Sequence, residues 1–432
     1  MSKKLIALLC AVVMLFALAA CSSSTQQGSA GNSGNAGGDN VVKIGVLMPL
    51  SGANATAGEY QLNGIEMVKD YINANGGIES MGGATIELVV SDTAGDVENG
   101  MTEMERLITV ENVTAVVGPY NSNVAAATAP IAIQYGVPYV ITNAIADNIM
   151  QSSANKYVYR SNYGASDMEP FRRLVIEYLG SLTNAGKLSK IAIVYDVGDW
   201  GVSENETFTS VANELGIDVV VSEPITTDSS DLSSVVNKIK NSDAEVVFCG
   251  IFLNDAILFA QQMREYNCDV QIVGSGAGFS DAKWLEAIGS DANGIMGTSD
   301  FSPAFGTKND ESAALYETYL AEHNGVAMPL ETSNGFCGMG TIVEALRAAG
   351  SADREAVADA LYGLDLATDS LPLWFSMFDG INFNTDGDAL GRYNQNTECG
   401  ETAGQILKQV INGKWELVWP SAQATADIQF GG

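Results

Sequence analysis

The amino-acid sequence predicts an α/β protein made of two doubly wound parallel-sheet lobes. Three observations carry the prediction. Strand-like apolar runs alternate with helix-period segments from Val41 onward. The alternation starts afresh after Arg160. The stretch that carries it is too long for one ordinary domain and suits two.

The first series opens with Val41–Leu50, a near-continuous apolar run of the kind that forms a parallel strand covered on both faces. Leu62, Ile65, Val68 and Ile72 then recur at spacings of three and four, so a helix follows. Asn75-Gly76-Gly77 stops it. Thr85–Ser91 reads as a strand, and Val97–Val110 as a helix with Met101, Met104 and Ile108 on one face. Ala115–Gly118 and Pro138–Thr142 read as strands on either side of an Ala-rich helix, Asn123–Tyr135. In the second series the helices are Asp167–Leu182, Val202–Leu215, Leu232–Asn241 and Asp255–Tyr266. The strands between them are Lys190–Asp196, Asp218–Ile225, Glu245–Ile251 and Gln271–Gly274. Such alternation implies right-handed crossovers. Ligands of open parallel sheets bind beyond the carboxyl ends of the strands, and with two lobes the natural site is the cleft between them. The informative loops therefore start at Leu50, Gly118, Thr142, Asp196, Gly250 and Gly274.

Two segments precede the globular part. Lys3 and Lys4 lead into the apolar run Leu5–Ala20, then Leu18-Ala-Ala-Cys21. A basic start, an apolar middle and small residues before a cut make a secretory signal. With cysteine directly after the small residues it resembles a bacterial lipoprotein signal. That resemblance implies cleavage after residue 20 and lipidation of Cys21. The run falls short of the ~20 residues a membrane span needs. Residues 21–40 are rich in Ser, Gly and Asn, with Asp39 the sole charge, and read as a flexible lipidated tether.

The formal net charge is −31, and losing residues 1–20 removes Lys3 and Lys4 but no acid. Such a surface repels nucleic acid and anionic lipid headgroups. The single histidine, His323, sits in a polar helix-like stretch with no nucleophile turn near it, which argues against a serine–histidine triad. One histidine cannot supply a histidine-based zinc site. No Walker-A loop occurs, and Gly274-Ser-Gly-Ala-Gly278 lacks the dinucleotide fingerprint. Cys249, Cys268, Cys337 and Cys399 show no C-x-x-C spacing. One or two disulfides are open to them, with no pairing assigned, and Cys249 reads as a buried thiol. Asn382-Phe-Asn-Thr-Asp-Gly-Asp388 has calcium-like spacing, but its twelfth position is Tyr393, so a tight turn explains it better.

An ordered set of strings is similar to the Leu/Ile/Val-binding protein family, the extracytoplasmic receptors of branched-chain amino acid ABC importers. Ile44-Gly-Val-Leu-Met-Pro-Leu-Ser-Gly52 resembles its first strand and loop. Asn63-Gly-Ile and Ile72-Asn-Ala-Asn-Gly-Gly-Ile78 resemble its first helix and stop. Val117-Gly-Pro, Val137-Pro-Tyr-Val, Tyr159-Arg-Ser, Ala345-Leu-Arg-Ala-Ala-Gly350 and Gly413-Lys-Trp-Glu-Leu-Val-Trp-Pro420 follow in order. The resemblance implies a type I periplasmic binding fold whose lobes are joined by a three-strand hinge. Crossings are expected near Arg160–Ser161, Thr298–Ser302 and Ser376–Gly380. Lobe one would then hold residues 41–161 plus 300–377, and lobe two 162–299 plus 378–432.

The resemblance also implies site residues. Ser122 takes the place of the serine that holds the ligand carboxylate, at a helix start that favours anions. Ala144 falls where a backbone carbonyl meets the ligand, and Ile145 where the family has threonine. Asn121 and Asn143 belong to the same two loops. Trp200 and Phe252 fall at the aromatic walls of the second lobe, with Tyr120 and Tyr163 as further aromatic candidates. The acid that meets the ligand ammonium maps to Gly276, which carries no charge, so Asp167 or Asp255 would take that role or the ligand is not a free α-amino acid. The expected function is capture of a small polar ligand by hinge closure and delivery to ABC permease subunits. The chain would act as a monomer, without cofactor or catalytic residues. An extracellular sensor is the alternative, distinguished by the absence of neighbouring permease genes; an enzyme using cleft carboxylates would show turnover.

Overall fold

The computed structural model describes residues 40–151, 156–279, 282–302, 308–367, 369–376, 378, 380–383 and 405–430. The signal and tether segments, Cys21, Cys399 and the calcium-like string beyond Phe383 lie outside them. Among the described residues no helix is long and apolar enough to cross a membrane.

The first sheet has five strands: β1 (Val41–Met48), β2 (Thr85–Asp92), β3 (Ala115–Val117), β4 (Tyr139–Ile141) and β5 (Val158–Arg160). They lie in the order β2-β1-β3-β4-β5, all parallel. The apolar run of β1 has the expected cause. Val42, Ile44, Val46 and Met48 enter one core cluster with Ile65, Val68 and Ile72 of α1 (Ala55–Ala74). Leu47 enters another on the opposite face, beside Met104 and Leu107 of α2 (Val97–Thr109) and Ala125 of α3 (Ser122–Tyr135). Helices cover both faces, so the strand has no polar side.

The second sheet has seven strands in the order β14-β13-β10-β9-β8-β6-β7. β6 (Lys190–Asp196), β7 (Asp218–Ile225), β8 (Val246–Gly250), β9 (Gln271–Ser275) and β10 (Met296–Ser299) are parallel. The antiparallel hairpin β13 (Ile406–Ile411) and β14 (Lys414–Trp419) completes its edge. Helices α4 (Glu169–Ser181), α5 (Asp199–Leu215), α6 (Ser233–Lys240), α7 (Leu253–Glu265) and α8 (Ala282–Ile288) belong to this series. Cys249 carries a buried thiol in β8.

Between β10 and β13 the chain returns to the first lobe as α9 (Asp310–Glu322), α10 (Leu330–Ala349) and α11 (Arg354–Tyr362). Helix α10 is buried along most of its length and lies against α1. Glycine permits that approach: a Cβ on Gly64 would stand 2.0 Å from the Thr332 carbonyl oxygen, and one on Gly335 would stand 2.1 Å from that of Gln61. The short strand β12 (Gly380–Asn382) pairs with β11 (Asp365–Ala367), and Phe383 packs on Tyr159 of β5 with ring centroids 5.1 Å apart. The antiparallel pairing and this aromatic contact tie residues 380–383 to β11 and to β5.

Candidate functional site

The loop after β3 and the loop after β4 meet at Ser122. Its hydroxyl, in the first turn of α3, accepts from the Ala146 amide at 3.3 Å. Asn143 lines the same cavity, and its side-chain carbonyl accepts from Asn334 of α10 at 2.6 Å. The position of α10, fixed by the glycine contact with α1, thereby sets the position of Asn143. Tyr120 and Ile145 complete this wall.

The opposing wall belongs to the second lobe. Trp200 lies in the first turn of α5 and Phe252 immediately precedes α7, their ring centroids 4.9 Å apart. Tyr120 reaches across to Phe252, with centroids 5.8 Å apart. The lobes also meet where Asn148 donates to Asp199 at 2.9 Å and Lys283 to the Thr56 hydroxyl at 3.0 Å. These contacts describe a closed cleft. The cavity left between the two walls measures about 50 Å³.

Charged groups gather at the seam. Arg172 of α4 is buried and pairs with buried Glu204 of α5 at 2.7 Å. It also donates to the Ser275 hydroxyl at 2.7 Å and lies 4.8 Å from the Phe208 ring centroid. Asp300, directly after β10, accepts from the Tyr163 hydroxyl at 2.9 Å and from Asn162 at 3.4 Å. Burial raises its pKa, against the pull of the Tyr163 and Asn162 donors. Burial and the neighbouring Asp300 push the Tyr163 phenol well above its ordinary range. Gln405, ahead of β13, donates to the same phenol. Glu331, in the first turn of α10, also lines the cavity. Half-buried Lys408 of β13 is pushed down to about 8 by burial, while Glu331 and Asp300 act the other way.

The structure thus brings Tyr120, Ser122, Asn143 and Ile145 together with Tyr163, Trp200, Phe252 and Gly276 around one cavity. Asn121 and Ala144 are not among the residues that line it. Asn121 faces a neighbouring groove and donates to Asn54 at 2.9 Å, while Ala144 is buried in the first lobe's core. At Gly276 the backbone has φ +61°, in the left-handed region that suits glycine, and a Cβ would meet open space. Neither acid expected to replace the missing carboxylate serves the cavity. Asp167 is exposed and accepts from the Gly164 amide, and Asp255 accepts from the Asp228 and Ser229 amides beneath another loop. Asp300, Glu331, Arg172, Asn334 and Gln405 are among the cavity residues that sequence reasoning missed. Asp300 had a signal, since it ends a strand of the second sheet as the chosen loops do. Arg172 had another, a charge within the apolar stripe of Phe171, Val175, Ile176 and Leu179.

Residues 41–390 match the family model described as periplasmic binding protein. The Leu/Ile/Val-binding protein homolog 7 of Brucella suis biovar 1 (strain 1330) is 30% identical over 397 residues, covering 90% of this chain and 94% of the relative. The branched-chain amino acid transporter substrate binding protein LivJ from Streptococcus pneumoniae, solved with isoleucine, superposes with a TM-score of 0.72. It is 22% identical and covers 87% of this chain and 97% of its own. A solute binding protein of an ABC transporter from R. palustris, solved with benzoate, gives a TM-score of 0.73 at 20% identity, covering 91% and 99%. With its paired parallel-sheet lobes and the cavity between them, the chain belongs to the periplasmic binding protein family, in its Leu/Ile/Val-binding branch with the type I fold.

Proposed function

We propose that this chain is the extracytoplasmic solute receptor of an ABC importer. It is held at the outer face of the cytoplasmic membrane by lipid on Cys21 and acts as a monomer. The observation that carries the reading is the enclosed cavity with a polar wall on one lobe and an aromatic wall on the other. Ser122 at the start of α3 and the nearby amides favour the anionic end of a small organic solute. Trp200 and Phe252 close over its body. A carboxylate-bearing solute is consistent with the isoleucine and benzoate held by the two related structures.

In this reading residues 41–161 plus those from about 300 to 383 form the lobe that receives the solute, and the second lobe swings onto it about the crossings. Closure makes the contacts between Tyr120 and Phe252 and between Asn148 and Asp199, and the closed form is what the permease subunits recognise. No bond in the solute is made or broken. Thermal melting of the full chain against amino acids, amines and aromatic acids tests this. A true solute at 100 times its dissociation constant adds about 2.7 kcal/mol. No shift with any small organic solute would refute a receptor role.

A further inference from the structure

The groove that Asn121 faces borders the solute cavity and shares Ser122, Trp200 and Phe252 with it. It measures about 400 Å³ and runs between the lobes. Asp96 stands on its first-lobe side, and Asp196, Asp199 and Asp228 on its second-lobe side. Among the described residues no lysine, arginine or histidine lines it. The starts of α1, α2, α3, α5 and α7 open on it. Each is worth about half a positive charge, so together they offset only part of the four carboxylates. The excess reaches nearby Asp255, whose carboxyl is raised by burial, with Asp228 and Asp196 adding to it against the Ser229 and Asp228 amides.

Acids alone would make no more than a solvated surface. Asn121 adds the observation that points to a ligand. It is 6% exposed, and its Nδ2 donates to Asn54 Oδ1 at 2.9 Å. Its own Oδ1 is buried, and among the described residues no donor meets it. A buried acceptor left unmet is costly. Gly95, also in the lining, leaves both amide oxygens uncovered. A Cβ there would stand 3.4 Å from Asn54 Oδ1 and 3.5 Å from Asn121 Oδ1, and the φ of +73° suits glycine. Carboxylate and amide oxygens are hard donors, and no thiol or imidazole stands among them. Calcium accepts such donors in flexible geometry, with water in the remaining places. No three carboxylates converge among the described residues as in a preformed chelate. One or two of them, the amide oxygens and water would therefore hold the ion.

We propose that this groove binds a partly hydrated calcium ion that ties the closed lobes together. Asn121 and Asp96 hold it from the first lobe, and Asp199 and Asp228 from the second. With these groups drawn apart, the open chain binds the ion less tightly. By linkage the ion favours closure, and solute and ion raise each other's affinity. The site goes beyond the receptor reading above, and its test needs no solute.

The test is isothermal titration of the full chain with calcium chloride, set against sodium chloride at matched ionic strength, with small-angle X-ray scattering of the same samples. Saturable binding is expected, with a dissociation constant of about 10⁻⁴–10⁻³ M, as in extracellular calcium modules. The radius of gyration should fall with it. Asp96→Asn and Asp228→Asn remove charge and spare the fold. Asparagine caps α2 as aspartate does, and it accepts the φ of +60° at position 228. Each should weaken calcium binding about tenfold to a hundredfold. Asp386→Asn, in the calcium-like string of the sequence, should leave it unchanged. Absence of saturable heat beyond the sodium control overturns the proposal. So does binding that Asp386→Asn abolishes, or that both groove variants leave intact. Binding with no compaction overturns the tie between the lobes. The receptor reading, tested by melting against solutes, stands or falls apart from all of these.

Discussion

The two walls of the cavity are built by different means. On the first lobe the geometry comes from backbone. Gly64 and Gly335 let α1 and α10 approach until a carbonyl fills the place of a side chain, and α10 then presents Glu331 and Asn334 to the cavity. On the second lobe it comes from side chains, with Arg172 held between Glu204, Ser275 and the Phe208 ring while Trp200 and Phe252 pack together. A wall set by backbone contact admits little substitution without moving the fold. A wall set by side chains can be rebuilt residue by residue, so the solute preference of this cavity rests mainly on the second lobe and the crossing that carries Asp300.

Breaking the side-chain wall should have the largest effect. Glu204→Leu leaves Arg172 buried without its counter-charge, and the expected cost is about 3–5 kcal/mol in urea denaturation. Adding Arg172→Met to the same chain should recover much of that loss, since a buried pair exchanged for apolar groups is often neutral. A double variant no more stable than the single one would mean that the network around Ser275 and Gln405, rather than the ion pair, holds the wall.

The backbone wall is sharpened by Gly335→Ala. The added Cβ meets the Gln61 carbonyl at 2.1 Å, and neither partner is the end of a flexible side chain. Overpacking of this kind costs about 1–3 kcal/mol. Denaturation would show that loss, and solute binding should weaken with it, because α10 carries Asn334 and hence the placement of Asn143. An alanine tolerated without change in either readout would show that the two helices separate freely and do not set the wall.

Much of this was legible in the sequence, for definable reasons. Runs such as Lys190–Asp196 and Val41–Met48 register because strands covered on both faces have no polar side to blur the pattern. Tyr120, Ser122, Trp200 and Phe252 lie in loops that the strand ends mark out, and the family resemblance pointed to Ser122, Trp200 and Phe252 within them; all four line the cavity. Glu331 was hidden, since an acid in a first helical turn is what the helix dipole favours anyway. Arg172 and Glu204 stand far apart in the chain, and only the packing of α4 on α5 pairs them. The pairing of β11 with β12 joins two three-residue strands, which leave almost no periodicity to read.

The smallest expected effect concerns the seam where the two walls join, and it is a matter of pH. Lys408 reaches the seam from β13, faces the acids Asp300 and Glu331, and has its ammonium 5.6 Å from the Trp415 ring centroid. Burial lowers its pKa from 10.5 to about 8. Between those values the unfolded chain holds a proton here that the folded chain has released. Stability therefore rises with pH across that window and is lost again as pH falls back through about 8. Asp300 has the opposite sign at the acid end, because burial raises it above 3.8. There the folded chain keeps a proton that the unfolded one gives up, so its contribution is present below 3.8 and is lost as pH climbs through the raised value. Both groups favour their neutral forms, as expected of charges placed between two closing lobes. Melting temperatures of the solute-free chain followed from pH 7 to pH 10 should show a rise that Lys408→Met abolishes. A rise that persists in Lys408→Met would assign the effect to another group and leave the closed seam indifferent to that ammonium.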